Sequence, residues 1–265
     1  MNALKITGPV DLVAAIPALL GFACQQSVVV IGFDGTRVGV SARVDLPRTP
    51  EETVQAATAL GRGVGAATPV VVVHVGAVDH KPITAVLRAT FAEVRAVFTV
   101  ADFQPTRTVR DEDGTPLGSL PDHRATPVAL AHAVAGRPVV SDRDTLAGEL
   151  DAGKPTVLAQ AAADALADPR TRDAALLAVV GDPADRTLWV EVARHRTGTG
   201  RGHAAALLAA AYYAAGDGAR ARVAADVAQD NDPGNRLAAL VGAALDNGVP
   251  PEVIRGVFRA AAQQQ

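Results

Sequence analysis

The chain has 265 residues, 49% hydrophobic and 20% charged, which excludes a disordered charged tail and leaves ample length for a hydrophobic core. Its 25 basic and 28 acidic side chains give a net charge of -3, divided 10 against 11 up to Leu120 and 15 against 17 beyond it. Neither part is polycationic, which argues against double-stranded nucleic acid as a partner, and the single cysteine, Cys24, excludes an intrachain disulfide or a multi-thiolate metal site.

Within the first apolar run, Val10–Phe22, the stretch Asp11–Phe22 reads as a short helix with Asp11 as its N-cap and Gly21 as its stop. Cys24 just behind it invites a lipoprotein reading. Against that reading, the leading segment holds only Lys5, Asp11 and Pro17 interrupt the run, and Gly21 stands where such sites favour Leu. A cytoplasmic protein is expected. No membrane partner is expected either, because no other run approaches the ~20 apolar residues that span a bilayer.

Ser27–Phe33 is a β-branched run closed by Asp34-Gly35, a hairpin signal. Arg37–Leu46 alternates apolar and polar residues as its partner strand. Thr49-Pro50-Glu51-Glu52 starts a helix that ends near Gly61, Gly63 and Gly65. Val70–Val75 is too uniformly apolar for an edge and belongs in the sheet centre. A helix over Pro82–Phe91 and a strand over Arg95–Val100 complete a β-α-β unit. Arg107–Arg110 adds a short edge strand, Asp113-Gly114-Thr115-Pro116 is turn material, and strands are expected almost entirely before residue 112. The pattern changes near Leu120. Helical periodicity then recurs over Thr126–Ala135, Asp142–Leu150, Thr156–Leu166, Arg172–Val180, Arg186–Arg194, His203–Ala215, Ala219–Gln229, Asn235–Asp246 and Pro251–Ala262, with only Pro138-Val139-Val140 strand-like. The fold class is therefore α/β (α+β overall): a mixed-sheet domain over 1–120, then an all-helical domain over 121–265.

Within the helical part, Leu208, Tyr212, Ala221, Ala228 and Pro233 resemble the spacing of the tetratricopeptide repeat, with Gly216-Asp217 in the turn between its helices. Ala205, Ala209 and Ala225 depart from it, and Asp246-Asn247-Gly248 interrupts the neighbouring repeat. The resemblance implies a partner-binding groove faced by His203, Ala206, Ala210 and Tyr213; an ordinary helical hairpin is the simpler alternative.

The opening Asp11-Leu12, Pro17 to Phe22 and Ser27 to Val30 resembles that of an actinobacterial domain-of-unknown-function family, numbered four-one-nine-two. So do Ala42 to Pro47, Asp113 to Leu117, Gly136 to Arg143 and the tail Leu207–Pro250. The resemblance spans nearly the full chain and implies no particular activity. Members of that family commonly carry Pro at the position of Cys24. Many also carry a cysteine cluster where this chain has Thr108-Val109-Arg110-Asp111-Glu112, so any metal or redox role of that cluster is not shared here.

Catalytic signals are sparse. No Gly-x-Ser-x-Gly elbow surrounds Ser27, Ser41, Ser119 or Ser141, and the six histidines form no metal-ligating array, so neither a metal nor another cofactor is expected. His74, inside a valine run, reads as a hydrogen-bonded strand residue. Two places could hold a small anion. One is the strand-end region with Asp79, His80, Lys81 and Asp102, since open α/β sheets bind ligands at strand carboxyl ends. The other is the basic, glycine-rich segment 194–203, with Arg194, Arg196, Arg201 and His203 leading into a helix N-terminus. A polar surface loop and a linker are their bland alternatives. The arginines alone are weak evidence: only Lys5, Lys81 and Lys154 are lysines, a bias that GC-rich coding produces. The leading expectation is a non-enzymatic adaptor that docks a protein partner through its helices; the alternative is a small-anion or nucleotide-binding protein or enzyme. A polar pocket at the strand ends would favour the second, a bare apolar groove on the helices the first.

Overall fold

The computed structural model describes residues 6–76, 79–134, 139–150, 156–181 and 186–262. It divides into two compact units, one ending at Asp142 and the other beginning at Arg143.

In the first unit, helix α1 (Pro9–Leu20) precedes the hairpin of β1 (Ser27–Asp34) and β2 (Arg37–Asp45). Then come α2 (Pro50–Val64), β3 (Val70–Val75), α3 (Lys81–Thr90), β4 (Val94–Val100), β5 (Thr108–Asp111) and β6 (Pro116–Ser119). A 3-10 turn (His123–Ala125) and α4 (Pro127–Val134) follow. The strands form one mixed sheet in the order β2-β1-β3-β4-β5-β6. β3 and β4 pair in parallel across the α3 crossover, while β1 runs antiparallel to both of its neighbours.

Local chemistry explains these elements. Thr49 Oγ1 accepts from Glu52 N at 3.1 Å, and Glu52 Oε2 accepts from Arg48 N at 2.6 Å, so two orphan donors at the start of α2 are satisfied. β3 is buried along its whole length. Val28, Val30, Val70, Val72 and Val97 pack against Ala57 and Leu60 of α2 and Ile83 and Leu87 of α3. On the alternate positions Val29, Ile31, Val71 and Val73 are equally buried, which is why the run carries no polar alternation.

The second unit is helical: α5 (Arg143–Gly148), α6 (Val157–Ala165), α7 (Pro169–Gly181), α8 (Arg186–His195), α9 (Gly198–Ala214), α10 (Gly218–Asn231), α11 (Arg236–Asp246) and α12 (Pro251–Ala262). α9 is its axis. α7, α8, α10, α11 and α12 all pack on it, and Ala204 through Ala211 are buried without a break, as a helix surrounded by others requires.

Four expectations need correction. Asp11 is not the N-cap of α1; the helix starts at Pro9, and Asp11 Oδ2 accepts from the Thr7 hydroxyl from within the first turn. The strand expected at the edge over Arg107–Arg110 forms as β5 but is not the edge, because β6 pairs with it and takes that place, beyond the limit set at residue 112. β6 is exposed at every position, so no hydrophobic pattern announces it. The basic segment is not a linker, since α9 begins at Gly198 rather than His203. One of its glycines serves packing: a Cβ on Gly202 would lie 2.6 Å from Asp232 Cβ and 3.3 Å from Ala228 O, so only glycine lets the end of α10 close on α9. Finally, the first unit runs past the expected break at Leu120, because α4 packs Val128 and Ala129 against Ala15 and Ala18 of α1. Of the strand-like Pro138-Val139-Val140, Pro138 lies outside the described residues, and Val140 bridges to Phe22.

Candidate functional site

β3 and β4 end side by side, with Val75 opposite Val100. Beyond that point the chain leaves β3 for α3 and leaves β4 for β5, so a crevice opens at the strand ends where the two connections diverge. It is a cleft of about 330 Å³ lined by Gly76, Thr99, Val100, Ala101, Thr106, Arg107, Thr108 and Arg110. Sheet register gathers these residues. His74 stands opposite Thr99, and Thr99 opposite Arg110, so those side chains project to one face, with Thr108 two residues along from Arg110.

Both arginines are held by the protein and only partly used. Arg107 Nε donates to Asp102 Oδ1 at 2.9 Å and Oδ2 at 3.0 Å, and Asp102 Oδ1 also accepts from Gln104 N at 2.9 Å. The hydrogen bond from Arg107, foremost, holds the Asp102 carboxyl below its usual range. Arg110 Nη1 donates to Gly114 O at 2.8 Å. Each guanidinium thus spends one edge on an anchor, and a guanidinium has further N–H donors beyond that edge. The lining itself carries two cations, Arg107 and Arg110, and no carboxylate. Gly76 has φ 129, and a Cβ there would lie 2.7 Å from Gln26 Oε1, so only glycine fits between the cleft and the Gln26 carboxamide.

Of the expected strand-end residues, only Asp102 belongs to this arrangement, as the anchor of Arg107. Asp79 is exposed and accepts from Lys81 N at 3.1 Å. His80 stacks on His74 with ring centroids 4.9 Å apart. Thr84 Oγ1 donates to His80 O at 2.8 Å, so its 2.9 Å contact with His74 Nε2 makes that nitrogen the donor. Burial foremost, and His80 second, lower the His74 pKa to about 3, so it is a neutral, hydrogen-bonded strand residue.

The basic segment does not converge on a point; each side chain has its own partner. Arg194 Nε donates to Glu149 O, Arg196 Nη2 meets Asp164 Oδ1 at 2.8 Å, and Arg201 is engaged as well. His203 Nε2 lies 3.5 Å from Asp232 Oδ2, and its pKa is lowered by burial and by Arg172 against the opposing pull of Asp232. The expected groove is also closed. Ala206 packs with Ala228 and Ala238, Ala210 is fully buried, and the hydroxyl of buried Tyr213 lies between two carbonyls, those of Val249 and, at 3.2 Å, Ala244. These residues fill the core between α9 and its neighbours and face no partner.

The residues missed by sequence reasoning are Thr99, Thr106, Thr108, Arg107 and Arg110. The strand over 107–110 was visible, but its pairing beside Thr99 was not. Among the described residues no three His, Cys, Asp or Glu side chains gather as metal ligands, and no helix is long and apolar enough to cross a membrane.

The sequence pattern of the family described as Domain of unknown function (DUF4192) matches residues 9–165 and again residues 152–252. The chain belongs to that family. No curated protein and no solved structure matches it.

Proposed function

We propose that this member of the family binds a small anion, a phosphate or carboxylate, in the cleft at the ends of β3 and β4. The carrying observation is the pair Arg107 and Arg110, each anchored through one edge beside three threonine hydroxyls. Anchored guanidiniums lose little freedom when an oxyanion arrives, and their forked donors suit it. The lining holds hydroxyls and cations but no histidine or carboxylate to act as a base, which supports binding rather than catalysis. A cytoplasmic place is part of this reading, and the burial of Val13 to Ala18 of α1 in the folded unit supports it.

Inorganic phosphate tests the reading. A ligand at ~100 times its dissociation constant adds about 2.7 kcal/mol to the native state and raises the melting temperature. The shift should shrink with added salt and disappear in Arg107→Ala/Arg110→Ala. No shift and no heat of binding with phosphate or acetate would overturn it.

A second reading keeps a protein partner for the helical unit. Val253 and Val257, one turn apart on α12, are about half exposed at 51% and 52%. This apolar pair, not the buried face of α9, is where such a partner would dock.

A further inference from the structure

We infer that the cleft's ligand is a small phosphorylated hydroxy compound of the sugar-phosphate class, and that Thr106 is the residue that selects it. The inference rests on the anion-binding reading above and adds the part of the ligand beyond its charge.

Among the described residues only two that are not glycine have positive φ, Gln26 at 41° and Thr106 at 70°. Thr106 lines this cleft, whereas Gln26 lies against Gly76 from the side of β1. Thr106 follows Pro105, and Arg107 N donates back to Gln104 O at 3.3 Å. Proline at the second position, positive φ at the third and a bond closing the four residues form a type II turn, whose third position suits glycine or asparagine. A β-branched residue there is strained, because its branched Cβ crowds the backbone in the left-handed region. Strain of this kind persists where the side chain is used, and it clusters at binding sites. What Thr106 adds to the cleft that glycine would not is a hydroxyl beside the anchored Arg107.

The rest of the lining indicates what that hydroxyl meets. Thr99, Thr106 and Thr108 bring three side chains whose hydroxyls both donate and accept. Such uncharged, two-way partners match ligand hydroxyls, whereas the guanidiniums match the phosphate. The lining contains no aromatic side chain on which a nucleobase could stack. The volume of about 330 Å³ is at the low end for small-molecule sites and fits a pentose phosphate.

The test compares inorganic phosphate, ribose 5-phosphate and adenosine monophosphate by titration calorimetry on the full chain, wild type and Thr106→Gly, with a thermal melt of each. Wild type should bind ribose 5-phosphate at least about tenfold more tightly than phosphate, as hydrogen-bonded discrimination of hydroxyls allows, with no further gain from the base. Thr106→Gly should melt at or above the wild-type temperature, because the strain is relieved. It should lose most of the preference for ribose 5-phosphate while its phosphate affinity changes far less. If phosphate itself fails to bind, the anion reading falls and this inference with it. If phosphate binds but ribose 5-phosphate binds no better, or the glycine variant keeps the preference, only this inference falls. A stronger hold on adenosine monophosphate would overturn the sugar-phosphate class, and a lower melting temperature for the variant would show Thr106 to be structural. Thr106→Asn, also tolerant of positive φ, separates loss of the hydroxyl from loss of a side chain: it should regain part of the preference through its amide.

Discussion

His74 shows how one residue ties the sequence to pH behaviour. Its neutral ring is held by Thr84, and its pKa falls from 6.5 to about 3, with burial the larger cause and His80 the smaller. In the unfolded chain a histidine takes up a proton below pH 6.5, whereas the folded one does not until about pH 3. The unfolded state therefore binds more protons in that window, and stability falls as pH drops, by up to about 1.4 kcal/mol per pH unit from this group. Above pH 7 the contribution is flat. Urea midpoints measured from pH 7 to 5, above the main carboxylate range, should decline in wild type and much less in His74→Gln, which keeps a donor for Thr84. Equal slopes would refute the assignment. The role of His74 was legible because a lone histidine within a valine run must bury its ring and find a partner. The roles of Arg107 and Arg110 were not, because they depend on which strand lies beside Thr99, and the turn after β4 alone does not fix that.

At the scale of elements, legibility followed the strength of the burial pattern. β1 and β3 are continuous β-branched runs, and their place inside the sheet follows from that. β6 begins at Pro116, contains Gly118 and buries nothing, so only its backbone pairing with β5 defines it. The start of α9 was hidden for another reason: glycines disfavour a helix interior by propensity, but tertiary packing at Gly202 decides instead. The α9–α10 hairpin, by contrast, was expected from the spacing of small residues, and Ala221 and Ala228 are fully buried within it. Enlarging Ala221 to Trp should overpack that contact and lower stability by on the order of 1–3 kcal/mol. Chemical denaturation gives the measure, and an unchanged midpoint would mean that the two helices do not need a small residue there.

On the scale of the whole molecule, the border between the units is set by a change of partners over a few residues. Val140 N donates to Gly21 O at 3.1 Å and Val140 O accepts from Ala23 N at 3.2 Å, so the stretch up to Asp142 is bonded to the sheet unit. From Arg143 onward the bonds run to α10. Arg143 pairs with Asp226, and the buried Arg220 donates through Nε and Nη2 to the two oxygens of Glu149, each at 3.0 Å, while its Nη1 reaches Asp217 at 3.1 Å. Removing one member of such a set strands the remaining charges, so the segment after Arg143 cannot be detached from the helices without cost. Each unit also has its own core, around β3 and α2 in the first and around α9 in the second. Separate fragments covering 1–142 and 143–265 should therefore fold, the first with a mixed circular dichroism spectrum and the second with a purely helical one. A fragment ending at Leu120 should be less stable than 1–142, because it lacks α4 and uncovers Ala15 and Ala18 of α1. Burying those side chains is worth roughly 25 cal/mol per Å² of apolar surface, so the loss should lower the thermal midpoint measurably. If the shorter fragment melts with the longer one, α4 contributes nothing to the sheet unit, and the change of hydrophobic period near Leu120 is the true border.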